Sequence, residues 1–445
     1  MSKLKGKLSR LQSAGPASRK KKPVETSAAT KQDNSSHAEK VSDFRSRMKN
    51  LGRGRSRKRK PKTVEVQNLA GEIWDSPWGP IRRVVKRYPL THAHGTVPVG
   101  GALQALPERL ARVALDDAMF ETKASGMLFM DTETTGLAGG TGTVPFLIGL
   151  GYFEDNALVM EQLLLSRLGE EAPMLAYFAE RMRQASLLVT YNGKSYDMPL
   201  IRNRWVLSRV KAPPEIPHLD LLHCCRRVYG TVLEQMRLVN MEEDVLNFER
   251  EDDVPGFMIP GIFFQFLKDG KGQALDPILE HNEYDILALA SMVSVLNDDL
   301  EAPSAKKDPR LTLAIARLQM RAKDKAASLQ WLSHLTGAGS PLETMLDGCL
   351  LGAKILQRDK AWKEAKELLE EGLTFGGDEK NNEKQLSEVH LMLAKLYEHK
   401  LGNLDKALSH AAHTCQCEGE ADTDKRLTRI QTKLRRAQEA DVCVS

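Results

Sequence analysis

The chain has 445 residues, room for two or three domains, and 41% hydrophobic residues, enough for real cores. Its net charge of +5 is unevenly spread: residues 1–62 hold 20 Lys/Arg against 4 Asp/Glu, leaving 44 against 55 in the remainder, so an anionic partner such as nucleic acid is expected. Six cysteines with no CxxC pair and no His/Cys zinc spacing argue against a disulfide scaffold, and the apolar run VPFLIGLGYF is about half the length of a spanning helix, so the expectation is a cytoplasmic protein without a membrane segment.

Residues 1–62 are Lys/Arg/Ser-rich and nearly free of large apolar side chains, which predicts a disordered basic tail. Its densest run, GRGRSRKRKPK, offers Arg53, Arg55, Arg57, Lys58, Arg59 and Lys60 to phosphates, and also reads as a nuclear-localisation type run. Residues 63–125 form a lead-in segment of uncertain structure. Trp74, Trp78 and Pro80 could pack it against the main domain, and 106–120 has helical spacing at Leu106, Leu110, Val113 and Met119.

Residues 126–300 read as one α/β unit. GMLFM (126–130) suits a buried strand. The runs 144–153 and 157–165 flank Glu154-Asp155-Asn156, a turn signal, and predict a hairpin. A helix over about 170–184, a strand over 186–191, a helix over about 197–209 and a short strand within 216–222 follow. A long amphipathic helix over 275–296 closes the unit, its stripe running through Leu279, Asn282, Ile286, Leu289 and Val293. This order resembles the RNase H-like layout, a mixed sheet in which three antiparallel strands lead into a parallel extension. Residues 309–437 switch to helical period throughout and predict an all-α domain of helical hairpins. LMLAKLYEHKLGNLDKALSHA resembles one tetratricopeptide unit, with a plain helical bundle as the alternative. Such a repeat could recruit a protein partner.

Three stretches carry acidic residues in contexts that aim them at one place. Asp131 and Glu133 sit two apart at the end of an apolar strand, so both side chains face the same way. Asp197 follows a strand and the Asn192-Gly193 turn and begins a helix, where it could also serve as a cap. His281 and Asp285 are four apart on the last helix and share a face. Carboxylates brought together repel one another unless a cation neutralises them, and hard oxygen donors suit Mg²⁺ or Mn²⁺. The glycine-rich 136–146 lacks the Lys-Ser/Thr pair of a phosphate loop and is expected to let a nucleic-acid backbone approach, with a plain connector as the alternative. Asp220, flanked by His218 and His223, is a fifth acid that could support the ligands, as could Asn192 and Asn282; Lys194 is a candidate nucleic-acid contact.

The trio DTET, YNGKSYDMP and HNEYD resembles the DEDD exonuclease superfamily, and DTETTGLAGGTGT with HLDLLH and HNEYDIL more narrowly resembles the bacterial YprB-type RNase H-like family. The resemblance implies an RNase H-like fold followed by tetratricopeptide-like helices. It makes Asp131, Glu133, Asp197 and Asp285 ligands of two divalent cations, and the reaction 3′→5′ hydrolysis of DNA or RNA. One departure stands out. The superfamily places a Tyr four residues, or a His five residues, before the last Asp; here His281 is four before and Glu280 five before. His281 is therefore expected to be the water-orienting group. The alternatives are a catalytically weak or inactive module that grips nucleic acid, and a structure-specific endonuclease on the same fold.

Overall fold

The computed structural model of the chain describes residues 65–136, 142–304, 307–335, 340–375 and 380–442. The basic tail with Arg53, Arg55, Arg57, Lys58, Arg59 and Lys60 lies outside these residues, as do the middle of the glycine-rich connector and the glycine breaks near 338 and 377.

The lead-in segment builds strands. β1 (Glu72–Ser76) and β2 (Gly79–Pro89) form a hairpin whose turn closes at Gly79 with φ +118°, a conformation suited to glycine. Two short strands follow, β3 (Ala93–His94) and β4 (Val97–Pro98), then a helix α1 (Pro107–Ala114) with Pro at its first position.

The α/β unit follows as β5 (Met127–Thr134), β6 (Pro145–Glu154), β7 (Ala157–Leu164), α2 (Ala172–Gln184), β8 (Leu187–Thr190), α3 (Asp197–Leu207), β9 (His218–Asp220) and α4 (Leu221–Val228). After α5 (Leu238–Met241) comes a π-type turn over Glu242–Leu246. Then α6 (Ile259–Asp269) and the long α7 (Asp276–Asp299) close the unit. The hairpin between β6 and β7 turns on Asp155 and Asn156, both at positive φ, the backbone twist that a two-residue loop needs.

Seven strands make one sheet in the order β1-β2-β7-β6-β5-β8-β9. β1 through β5 pair antiparallel, whereas β8 and β9 add parallel to β5. The predicted three-strand meander and parallel extension are present, with β1 and β2 as an addition that the Arg/Lys-rich β2 sequence hid. Alternate residues of β5 enter different cores. Met127 and Phe129 join Ile286 and Val293 of α7 on one face; Leu128 and Met130 join Phe178 of α2 and Ile201 of α3 on the other. β2 is tied to α7 by Lys86 and Tyr88, both of which donate to the Glu283 carboxylate. The late-found strand thus fixes the helix that carries His281 and Asp285.

The helical C-terminal part comprises α8 (Pro309–Arg321), α9 (Lys325–Leu332), α10 (Leu342–Arg358), α11 (Trp362–Gly372), α12 (Glu383–Leu396), α13 (Leu404–Ala411), α14 (Cys415–Glu418) and α15 (Glu420–Val442). Leu313 and Ile315 of α8 and Trp331 of α9 share a core with α7. From Leu342 to Ile430 a separate core forms, in which Ala365, Ala394 and Ala407 are fully buried where helices approach closely. Among the described residues, no helix is long and apolar enough to cross a membrane.

Candidate metal centre

Asp131 and Glu133 project from the same side of β5, and the pairing of β5 with β6 shifts register just beyond Glu133. Asp131 lies opposite Gly149 of β6. A Cβ at Gly149 would fall 2.2 Å from Oδ1 of Asn282, so only glycine lets α7 come this close. Asn282, fully buried, donates from Nδ2 to Asp131 Oδ2 at 2.9 Å, and its own Oδ1 accepts from Gln162 Nε2 at 3.1 Å. A buried amide chain starting on β7 therefore sets the orientation of Asp131.

Asp197 reaches the same region from α3. The loop before it turns at Asn192 (φ +65°), and Asp220 holds this loop: its carboxylate accepts from the backbone N–H of Asn192 at 2.8 Å and of Lys194 at 3.0 Å, while also capping α4 through Leu222 N. Asp220 thus holds the loop that presents Asp197, and its charge acts on the Asp197 carboxyl. Tyr196 occupies the N-cap position and Asp197 the first helical position, with its carboxylate accepting from Thr132 Oγ1 of β5. The Lys194 side chain is exposed.

On α7, His281 and Asp285 lie one turn apart. His281 Nε2 is 3.7 Å from Glu133 Oε1 and 3.6 Å from Asp285 Oδ2. The ligand atoms of Glu133, His281 and Asp285 all fall within 4.8 Å of one another, the spacing of donors around one ion. The other ring nitrogen, Nδ1, meets Asp253 Oδ1 at 2.8 Å. Asp253 also accepts from Arg250 Nη1 at 3.1 Å, and Arg250 Nη2 donates to Asp285 Oδ1 at 2.5 Å.

The electrostatics follow from crowding. Burial, then the charges of Asp285 and Asp197, holds the Asp131 carboxyl well above the usual range. Glu133 is raised likewise, by burial first and then by Asp131, Asp285, Asp197 and Asp253. Burial lifts Asp197 to about 6, against the hydrogen bond from Thr132. Burial alone would lower His281, but the hydrogen bond to Asp253 and the charge of Asp285 reverse this, and it sits above the ordinary histidine value. Six carboxylates (Asp131, Glu133, Asp197, Glu242, Asp253 and Asp285) share this neighbourhood with the Arg250 guanidinium and two imidazoles, His281 and, against Glu242, His94. Such an excess of negative charge on hard oxygen donors fits a divalent cation.

Sequence reasoning missed Arg250, Asp253, Glu242 and Thr132. ERED at 249–252, followed by Asp253, looks like a solvated charge run. In the fold Glu249, Glu251 and Asp252 do face outward, while Arg250 and Asp253 turn inward. Nothing in the pattern distinguished Arg250 from its neighbours.

A model of the RNase_H_2 family, described as RNase_H superfamily, matches residues 128–297, from β5 to the end of α7. The fold and the match together define an RNase H-like protein. Uncharacterized protein YprB of Bacillus subtilis (strain 168) is 30% identical over 375 residues, covering 81% of this chain and 87% of its own length. The chain belongs to the YprB-type family of RNase H-like proteins. Among solved structures, the family B DNA polymerase from the hyperthermophilic archaeon Pyrobaculum calidifontis is similar at a TM-score of 0.33 and 13% identity, over 51% of this chain. The match spans 29% of that polymerase, less than a third of its length.

Proposed function

We propose that the chain is a divalent-cation-dependent nuclease that hydrolyses phosphodiester bonds of DNA or RNA, acting 3′→5′ from a strand end. One observation carries the reading: acids from three separated stretches lie close enough to raise one another, with Glu133 and Asp285 flanking His281 and too few cations of the protein's own to balance them. Asp131, Glu133, Asp197 and Asp285 would hold Mg²⁺ or Mn²⁺, up to a pair of ions, and bound cations would supply charge neutralisation of the phosphate and of the leaving 3′-oxygen. His281 is the base. Nδ1 faces Asp253 at 2.8 Å, and the tautomer protonated there would leave Nε2 to accept the proton of the attacking water. Water oxygen bonds to phosphorus, the P–O3′ bond breaks, and the proton leaves by way of Nε2.

The basic segment 1–62 and Lys194 would contact phosphates outside the centre, and the helical hairpins after 309 would offer a protein a docking surface in the manner of tetratricopeptide repeats. An end-labelled strand incubated with the full chain and Mn²⁺ tests the reading. A ladder shortening from the 3′ end supports it. Discrete internal cuts, on a closed circle too, replace it with an endonuclease. Binding without cleavage across several divalent ions and both nucleic acids replaces it with a binding module.

A further inference from the structure

Arg250 is a buried cation inside a centre that the family resemblance assigns to metal ions. Its side chain is 3% exposed. Nε donates to Glu242 Oε2 at 2.7 Å, Nη1 to Asp253 Oδ2 at 3.1 Å and Nη2 to Asp285 Oδ1 at 2.5 Å. The guanidinium also lies over the Tyr284 ring, 5.5 Å from its centre. Its main anchor is itself buried: Glu242 is fully enclosed and bonded to His94 Nε2 at 2.7 Å, and the His94 ring packs on Phe248 at 3.9 Å. A Cβ at Gly95 would fall 2.0 Å from Leu246 O, so the lead-in strands are seated tightly against the turn that presents Arg250. Arginine does not lose its charge in proteins, and its planar fork is held here on three sides.

We infer that Arg250 is the resident counter-cation of Asp285 and limits the centre to one tightly bound divalent ion. The inference rests on the nuclease reading for its context but concerns cation number alone. Asp285 has two oxygens. Oδ1 is taken by the guanidinium, and Oδ2 faces the Glu133 side, where the two acids would hold an ion and His281 would stay the base beside it. The site on the Oδ2 side remains open to an ion. A second ion sharing Asp285 on its Oδ1 side would have to displace a charged group that three carboxylates hold in place, or sit beside it against like charge. The pair of ions expected from the resemblance is thus replaced, on this side, by one ion and one arginine.

Titration of the full chain with Mn²⁺, with no nucleic acid, counts the ions through calorimetry and the loss of the free-ion paramagnetic signal. Wild type should take one ion, with any second at least about tenfold weaker. The Arg250→Gln, Glu242→Gln double variant removes the cation together with its buried partner charge, and it should take two ions of comparable affinity. Two comparable ions in wild type, or one ion in a folded double variant, overturns the inference. Should the double variant fail to fold, Mn²⁺-soaked wild-type crystals decide: one anomalous peak with the guanidinium still on Asp285 supports it, and two peaks overturn it. No bound ion in any form removes this inference and the cation requirement together. Ions bound as described, without cleavage of any strand, remove only the nuclease reading.

Discussion

Four carboxylates meet where β5, α3 and α7 converge, and three imidazoles meet in the C-terminal helices. His390 and His410 approach through their Nδ1 atoms at 2.9 Å, and His413 stacks on His390 with ring centres 4.6 Å apart. Both clusters crowd together groups that can carry like charge. The imidazoles escape the penalty by staying neutral, since one Nδ1 can donate to the other. Burial and the neighbouring rings push His390 down to about 4, and burial pushes His410 down as well. The acids are crowded instead: burial, then Asp285 and Asp197, holds Asp131 well above the usual carboxylate range, and burial, then Asp131 and Asp285, does the same to Glu133. Nearby Glu398 shows how these helices treat a buried acid: Arg429 and Lys433 bond it from α15 at 2.7 and 2.8 Å. An unbalanced acid cluster has no structural use that a paired acid would not serve better, and this contrast singles out the sheet end as the candidate site.

The largest effect should come from the acids themselves. Asp131→Asn or Asp285→Asn should lower cleavage by about 10³-fold or more, measured on an end-labelled strand with circular dichroism unchanged. Asp220→Asn sharpens the contrast. Asp220 is buried like Asp197 and Asp285 but holds backbone N–H groups, so its variant should lose roughly 1–3 kcal/mol of stability while keeping wild-type Mn²⁺ affinity. Equal cleavage by wild type and Asp131→Asn would end the catalytic assignment.

Next is the Asp253–His281 pair. Asp253→Asn should reduce kcat about 10–100-fold with little change in KM. Asp253 helps to raise His281, so its loss lowers the imidazole value, and the acidic limb of the pH–rate profile should move to lower pH. A smaller kcat with an unmoved limb would show that His281 is not the base.

A third test is stability without cations. Asp197 titrates at about 6 when folded, against 3.8 as its ordinary value. The folded state therefore binds this proton more tightly, and the carboxyl favours folding below its ordinary value. That advantage is lost as pH rises from about 4 to about 6, and above this window the charge costs about 2–3 kcal/mol. Asp197→Asn should therefore raise the midpoint of thermal unfolding at pH 7.5 in chelator, with a gain on the order of 1–3 kcal/mol. The gain should disappear at pH 4 and shrink when Mn²⁺ is added. A variant less stable than wild type in chelator would mean that Asp197 is well compensated and only a structural partner of Thr132.

The core of the α/β unit was legible because its signals are local. Asp155-Asn156 marks a turn, apolar runs of strand length mark β5 to β8, and the stripe through Ile286 and Val293 marks α7. The acids were legible as motifs at strand and helix ends. β1 and β2 were not, because β2 has polar and charged residues such as Arg82, Arg83, Lys86 and Arg87 where a buried strand would be apolar; it is half covered, and its cations find partners elsewhere, Arg83 on Glu161 at 3.1 Å and Arg82 on the Gly71 carbonyl at 2.7 Å. Arg250 and Asp253 were illegible for a deeper reason. Their partners, Glu242 and Asp285, are chosen by the tertiary path of the 242–258 segment, and a charge run carries no mark of which side will be buried.

The smallest effect tests the other half of the contrast. His390 titrates at about 4 when folded, below its ordinary 6.5, so the unfolded chain binds the proton more tightly. Stability from this group is complete above pH 6.5 and is lost as pH falls toward 4. The ring is only partly covered, and solvent screens much of the shift, so the loss should be a modest local one. Hydrogen exchange of the amides in 383–411 should quicken over that window, relative to those of β5 to β7, and His390→Gln should blunt the response. Over the same window the acid centre gains protons that it binds more tightly folded, so without cations the two ends of the molecule should answer acid in opposite directions. If exchange quickens equally in both, or in neither, then the imidazoles are not kept neutral by their packing and the contrast with the acids fails.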